Sequence, residues 1–197
     1  MKRSFAIVAF LYSTVLAGAV TQQELVDAGM PSKCVPFARA VSATEGNWNS
    51  VKYPTNDTTD TKYCYGAFQF CSGRRSPTGG TFSEYNPGWT PEAFLNDRGQ
   101  QVDAWTRYMR DRWRDIQRNP DLSGLLGQQL CYGGRCVTID ASALLKGAQF
   151  GTGSSSAMAK YARDGSCSHG DANNTSICRY MMQGAGYDAS CFTDSQQ

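Results

Sequence analysis

The sequence predicts a single, mainly α domain with a small β or loop element, stapled by disulfides. Three observations predict it. Apolar residues recur at three- and four-residue steps in several segments. Polar, turn-rich stretches at residues 46–62 and 71–90 interrupt them. Eight cysteines all follow an N-terminal leader.

The leader is MKRSFAIVAFLYSTVLAGAV. Lys2 and Arg3 give it a basic start, an apolar run follows, and Ala17-Gly18-Ala19 is a small-x-small site. This is the layout of a secretory signal peptide, residues 1–19. The apolar run is shorter than the roughly 20 residues of a membrane span, so an anchor is the weaker reading. Cleavage after Ala19 takes 19 residues from 197 and leaves 178, one domain over 20–197. The formal +2 charge belongs to Lys2 and Arg3, so the remainder is neutral. A neutral chain is a poor nucleic-acid binder.

The elements follow in order. Thr21-Gln22-Gln23-Glu24 has capping-box spacing and predicts a short helix to about Gly29. A second helix is expected from about Pro36 to Thr44, with Phe37 and Val41 on one face. Residues 63–71, YCYGAFQFC, read as an apolar strand or cleft wall with one amide, Gln69. Thr90-Pro91-Glu92 starts a helix that Gly99 is expected to interrupt. The strongest helix is expected from about Gln100 to Arg118, where Val102, Trp105, Met109, Trp113 and Ile116 make a core stripe. Cys131–Cys136 closes a turn or hairpin. Asp140 caps ASALLKGAQF, Ser154 caps SSAMAKYARD, and a short helix lies near ICRYMMQG.

Eight cysteines allow 105 pairings. Nearness in sequence favours Cys64–Cys71, Cys131–Cys136 and Cys167–Cys178, which leaves Cys34–Cys191 to tie the ends together. One histidine, His169, and no CxxC argue against zinc, so no metal and no cofactor are expected. The same single histidine weakens a cysteine hydrolase or a serine triad.

Glu45 is the leading chemical candidate. It stands where an apolar helix meets a Gly/Asn-rich loop, beside Trp48. A partly desolvated carboxyl can serve as a general acid near neutral pH. From position alone, a solvated helix-terminal glutamate is the simpler reading.

A resemblance changes that weighing. Glu45, followed about twenty residues later by Tyr65-Gly66-Ala67-Phe68-Gln69-Phe70, resembles the lysozyme-like lytic transglycosylases and related muramidases. There a catalytic Glu ends a helix and a Gly-x-x-Gln-Phe/Ile segment lines the cleft opposite. LLKGAQFGTGSSSAMAKYARDG is similar to that group's two helices joined by a Gly-rich turn. HGDANNTSICRYMMQGAGYD is similar to the tail of some members. The motifs occur in the expected order over most of the chain after the leader. Three features depart from the group: Glu45-Gly46-Asn47 in place of Glu-Ser-Gly, Gln149-Phe150-Gly151 where His or Tyr often precedes the turn, and the eight cysteines.

The resemblance implies a lysozyme-like α+β fold and cleavage of the MurNAc–GlcNAc β-1,4 bond of peptidoglycan. Glu45 would protonate the glycosidic oxygen, then take the proton of the muramic O6 hydroxyl as a 1,6-anhydro ring closes. A hydrolytic muramidase would instead need a second carboxylate, and Asp57 or Asp60 could supply it. Gln69 and Gln149 would position the glycan, and Tyr65, Phe68 and Tyr187 would stack on sugars. Arg74 and Arg75 would meet peptide-stem carboxylates. For each aromatic and each arginine, core packing or simple solvation is the plainer alternative. Expected partners are glycan strands, with an envelope-spanning secretion machine or a periplasmic inhibitor as further ones. The chain is expected to be an exported monomer, periplasmic or secreted, with no membrane contact once the leader is removed. The rival class is a glycan-binding or secretion-assembly protein on the same fold, its catalysis lost. If Glu45 is buried in an ion pair, or points away from the cleft, the enzyme hypothesis fails.

Overall fold

The computed structural model describes residues 19–52, 63–72, 80–149, 151–170 and 175–194. Most of the leader, residues 1–18, lies outside them, as do Asp57, Asp60, Arg74, Arg75 and Phe150.

Helix α1 spans Gln22–Asp27 and starts with the expected capping box. The Thr21 amide donates to Glu24 Oε2 at 2.9 Å, and the Glu24 amide donates to Thr21 Oγ1 at 3.2 Å. A 3-10 turn at Ser32–Cys34 leads into α2, Val35–Glu45. A small antiparallel sheet follows: β1 Val51–Lys52, β2 Cys64–Tyr65 and β3 Phe70–Cys71, in that order. Segment 63–71 is therefore a hairpin and not one strand. Gly66 and Gln69 take positive φ, 76° and 54°, and reverse the chain between β2 and β3.

Helix α3, Gly80–Tyr85, forms inside a stretch that composition marks as loop, because Phe82 and Tyr85 bury against the core. Helix α4, Pro91–Leu95, has Thr90 as its cap. Helix α5 runs Arg98–Arg118. Gly99 does not interrupt it; the break falls at Asp97, whose carboxylate accepts from the Gln100 amide at 2.8 Å. Helix α6 is Pro120–Ser123. Strands β4, Gln129–Tyr132, and β5, Arg135–Thr138, pair antiparallel. Helices α7, Ala141–Ala148, and α8, Ala157–Asp164, follow. Ser156, and not Ser154, caps α8. The last helices are α9, Ile177–Gly184, and α10, Ser190–Thr193.

Helix α5 is the centre of the core. Trp105 is stacked on Phe68 at 4.3 Å and meets Phe192 edge-on at 5.1 Å. Helix α7 packs chiefly on α9, and α10 packs on α5. The result is a mainly helical, disulfide-stapled domain.

All four expected disulfides form. Two have a simple cause: Cys64 faces Cys71, and Cys131 faces Cys136, as cross-strand neighbours. Cys34–Cys191 spans 157 positions and ties the start of α2 to α10. Loop-closure entropy then separates the bridges. Replacing Cys34 and Cys191 by serine should cost about 5 kcal/mol, against about 2–3 kcal/mol for the Cys64–Cys71 pair. Denaturant unfolding of the two double variants checks this, and equal losses would contradict it.

Candidate functional site

Glu45 is the last residue of α2. The helix stops because Gly46 adopts an extended backbone, and its amide still closes the final turn on the Ser42 carbonyl at 2.8 Å. The position has little space. A Cβ on Gly46 would lie 2.8 Å from the Ser50 side chain and 3.1 Å from Gln69 Nε2. The Gln69 amide therefore lies against the backbone that immediately follows Glu45.

The carboxyl itself meets a cation. Lys146 Nζ, on α7, lies 3.9 Å from Glu45 Oε1. The lysine side chain is 0% exposed and the glutamate 16%. Lys146 also donates to Thr44 Oγ1, and that hydroxyl lies 3.5 Å from Glu45 Oε1. The Tyr180 ring of α9 lies 5.4 Å from the ammonium. From β1, Lys52 Nζ donates to the Glu45 main-chain carbonyl. Glu45 thus enters an ion pair, yet its carboxyl keeps some access to solvent.

Space for the lysine comes from Gly184 on α9. A Cβ there would sit 2.3 Å from Lys146 Cβ and 2.8 Å from the Ser142 carbonyl. Burial pushes the Lys146 ammonium down to about 8, with the Glu45 charge opposing that shift. Burial likewise pushes the Tyr108 hydroxyl up to about 12. Tyr108 donates at 3.4 Å to the carbonyls of Ala148 and Gln149, where α7 ends.

Gln149 reaches the hairpin. Its Nε2 donates to the Phe68 carbonyl at 3.2 Å, while its Oε1 is buried with no hydrogen-bond partner. Gln69 Nε2 donates to the Gly66 carbonyl at 2.7 Å, so one of its hydrogens serves its own turn. The structure therefore brings Glu45, Gln69 and Gln149 together around that turn. It places Phe68 and Tyr65 in the core, 2% and 5% exposed. Phe68 stacks on Trp105 and Tyr65 on Tyr63, so their ring faces are taken by protein. Tyr187 is 37% exposed and donates its amide to Ser142 Oγ. Trp48 is buried, edge-on to Phe68, with the Arg98 guanidinium 5.5 Å from its ring. Asp57, Asp60, Arg74 and Arg75 lie outside the described residues.

Sequence reasoning missed Lys146, Thr44 and Gln101. Lys146 had a signal: it is the one charge in the apolar run ASALLKGA. Gln101 also had one, since it shares a helix face with Trp105 and Tyr108, four and seven positions on. It is fully buried and ties three segments together. Its Oε1 accepts from the Ala67 amide at 2.9 Å, and its Nε2 donates to the Trp48 and Phe94 carbonyls at 2.9 and 3.1 Å. The amide thus fixes the hairpin turn relative to the loop after Glu45.

All eight cysteines are disulfide-bonded, so no thiol is available as a nucleophile. His169 Nε2 sits 2.8 Å from Asp164 Oδ2. Among the described residues, no helix is long and apolar enough to cross a membrane. Comparison with family models, curated proteins and solved structures finds no match for the chain.

Two stability outcomes follow. Gln101→Leu strands the Ala67 amide and the Trp48 and Phe94 carbonyls, and should cost at least about 2 kcal/mol by denaturant unfolding. For Lys146 the sign runs the other way. The unfolded lysine holds its proton to 10.5 but the folded one only to about 8. Folding therefore carries a penalty of roughly 3 kcal/mol below the folded value, relieved as pH rises toward the unfolded value. Lys146→Met should melt higher than wild type at neutral pH, with the gap narrowing between about pH 8 and 10. A lower melting temperature at neutral pH would contradict the sign.

Proposed function

We propose that this chain is an exported peptidoglycan lytic transglycosylase with a lysozyme-like fold, and that Glu45 cleaves the MurNAc–GlcNAc β-1,4 bond. One observation carries the reading. A partly exposed carboxyl ends a half-buried helix, and the Gln69 amide lies within 3.1 Å of where a Cβ on the next residue would be. This is the pairing of acid and cleft amide that the sequence motifs imply. The four disulfides support export, since such bridges form in oxidising compartments.

The proton accounting is closed. Protonated Glu45 gives its proton to the glycosidic oxygen as the C1–O bond breaks. The substrate's N-acetyl group steadies the cation at C1. Carboxylate Glu45 then takes the O6 proton while O6 bonds to C1, which restores the acid and consumes no water. The second hydrogen of the Gln69 amide would orient the sugar, and Gln149 would hold the turn through the Phe68 carbonyl. A hydrolytic muramidase would require Asp57 or Asp60 across the cleft.

The Glu45–Lys146 pair favours a second reading, in which the chain binds glycan or assists assembly of a secretion machine without cleaving. A cation beside a carboxyl favours its charged form, which works against an acid. Digestion of purified sacculi separates the two. Wild type should release products with 1,6-anhydro ends by mass, and Glu45→Gln should be slower by about 100-fold or more. Reducing ends would assign a hydrolase. Equal activity in wild type and variant would remove Glu45 from the chemistry.

A further inference from the structure

We propose that Lys146 is the positioning residue of this site: it fixes the Glu45 carboxyl and biases it toward its charged form, confining cleavage to acid conditions. The inference rests on the glycosidase reading of Glu45.

The geometry is built for that cation. A lysine with no exposed surface projects from α7 to within 3.9 Å of the carboxyl at the end of α2. Three residues on two elements accommodate it. Thr44 of α2 accepts its hydrogen bond, Tyr180 of α9 presents a ring 5.4 Å away, and Gly184 of α9 leaves the volume its stem occupies. Any larger residue at 184 would collide with the lysine stem at 2.3 Å. A buried cation is costly to fold around, and its depressed proton affinity marks that cost. A leucine or methionine would fill the same space without it. Such an expense at a carboxyl with solvent access points to a role for the charge.

Among the described residues, further groups stand close to the pair. Lys52 of β1 binds the Glu45 carbonyl and adds positive charge, Tyr180 of α9 presents its ring to the ammonium, and Tyr108 of α5 holds its proton to about 12. Lys146, 3.9 Å from the carboxyl, is a cation placed to bias Glu45 through the acid and neutral range. With the ammonium in place, Glu45 regains its proton only as pH falls, and only then can it donate to the glycosidic oxygen.

The test is the pH dependence of kcat on sacculi for wild type, Lys146→Met, Lys146→Arg and Glu45→Gln. Lys146→Met should move the alkaline midpoint up by about one pH unit or more, while Lys146→Arg keeps the wild-type midpoint. A uniform fall in rate at every pH, with no shift in midpoint, would mean that the lysine is only structural and would overturn the proposal. A second measurement needs no catalysis. Carboxyl-carbon NMR of the wild-type protein should show Glu45 losing its proton below the ordinary glutamate range of about 4.3. Titration at or above that range overturns the proposal whether or not the Met variant folds. Undiminished cleavage by Glu45→Gln would instead sink the glycosidase reading, and the NMR titration would still judge the lysine.

Discussion

The buried ammonium of Lys146 is the constraint around which this site is arranged. It carries a charge into a place with no solvent contact, and several neighbours answer it. Glu45 supplies the opposite charge, Thr44 an oxygen, Tyr180 a ring and Gly184 an absence of side chain. Helix α7 and helix α9 approach closely because that glycine permits it. The end of α2 is held at the same point, so the carboxyl cannot leave without exposing an unpaired buried cation.

The hairpin beside Glu45 depends on a neutral group. Gln101 spends its whole amide on main-chain atoms of three segments. Those bonds set the turn that carries Gln69 in a left-handed conformation, at φ 54°. The Cys64–Cys71 bridge closes the same hairpin from its open end. Charge therefore fixes one side and amide hydrogen bonding the other. A site held by both can keep its geometry while remaining partly open to water.

Much of the architecture was legible in the sequence because its causes are local. Thr21, Thr90 and Asp140 cap helices through side-chain oxygens that reach amides three residues on. The cysteine pairs closest in sequence are bridged, two of them across tight hairpins. The stripe on α5 follows helical spacing alone. What escaped depends on distant partners. Thr44 and Lys146 are 102 positions apart, and no local pattern joins them. Segment 63–71 looked like a strand because its residues are apolar, but Gly66 and Gln69 turn the chain inside it. Phe68 looked like a sugar platform, yet its ring is needed under Trp105. Local sequence does not tell whether an aromatic faces a cleft or the core.

The central claim is that Glu45 acts on a glycan held against the 66–69 turn. The most direct measurement is a crystal structure of Glu45→Gln with a bound peptidoglycan tetrasaccharide. The account predicts the scissile oxygen within about 2.6–3.2 Å of the side-chain amide at position 45, with Gln69 or Gln149 hydrogen-bonded to the adjoining sugar. A glycan seated elsewhere on the surface, with the Lys146 side of the site unchanged and empty of sugar, would contradict it.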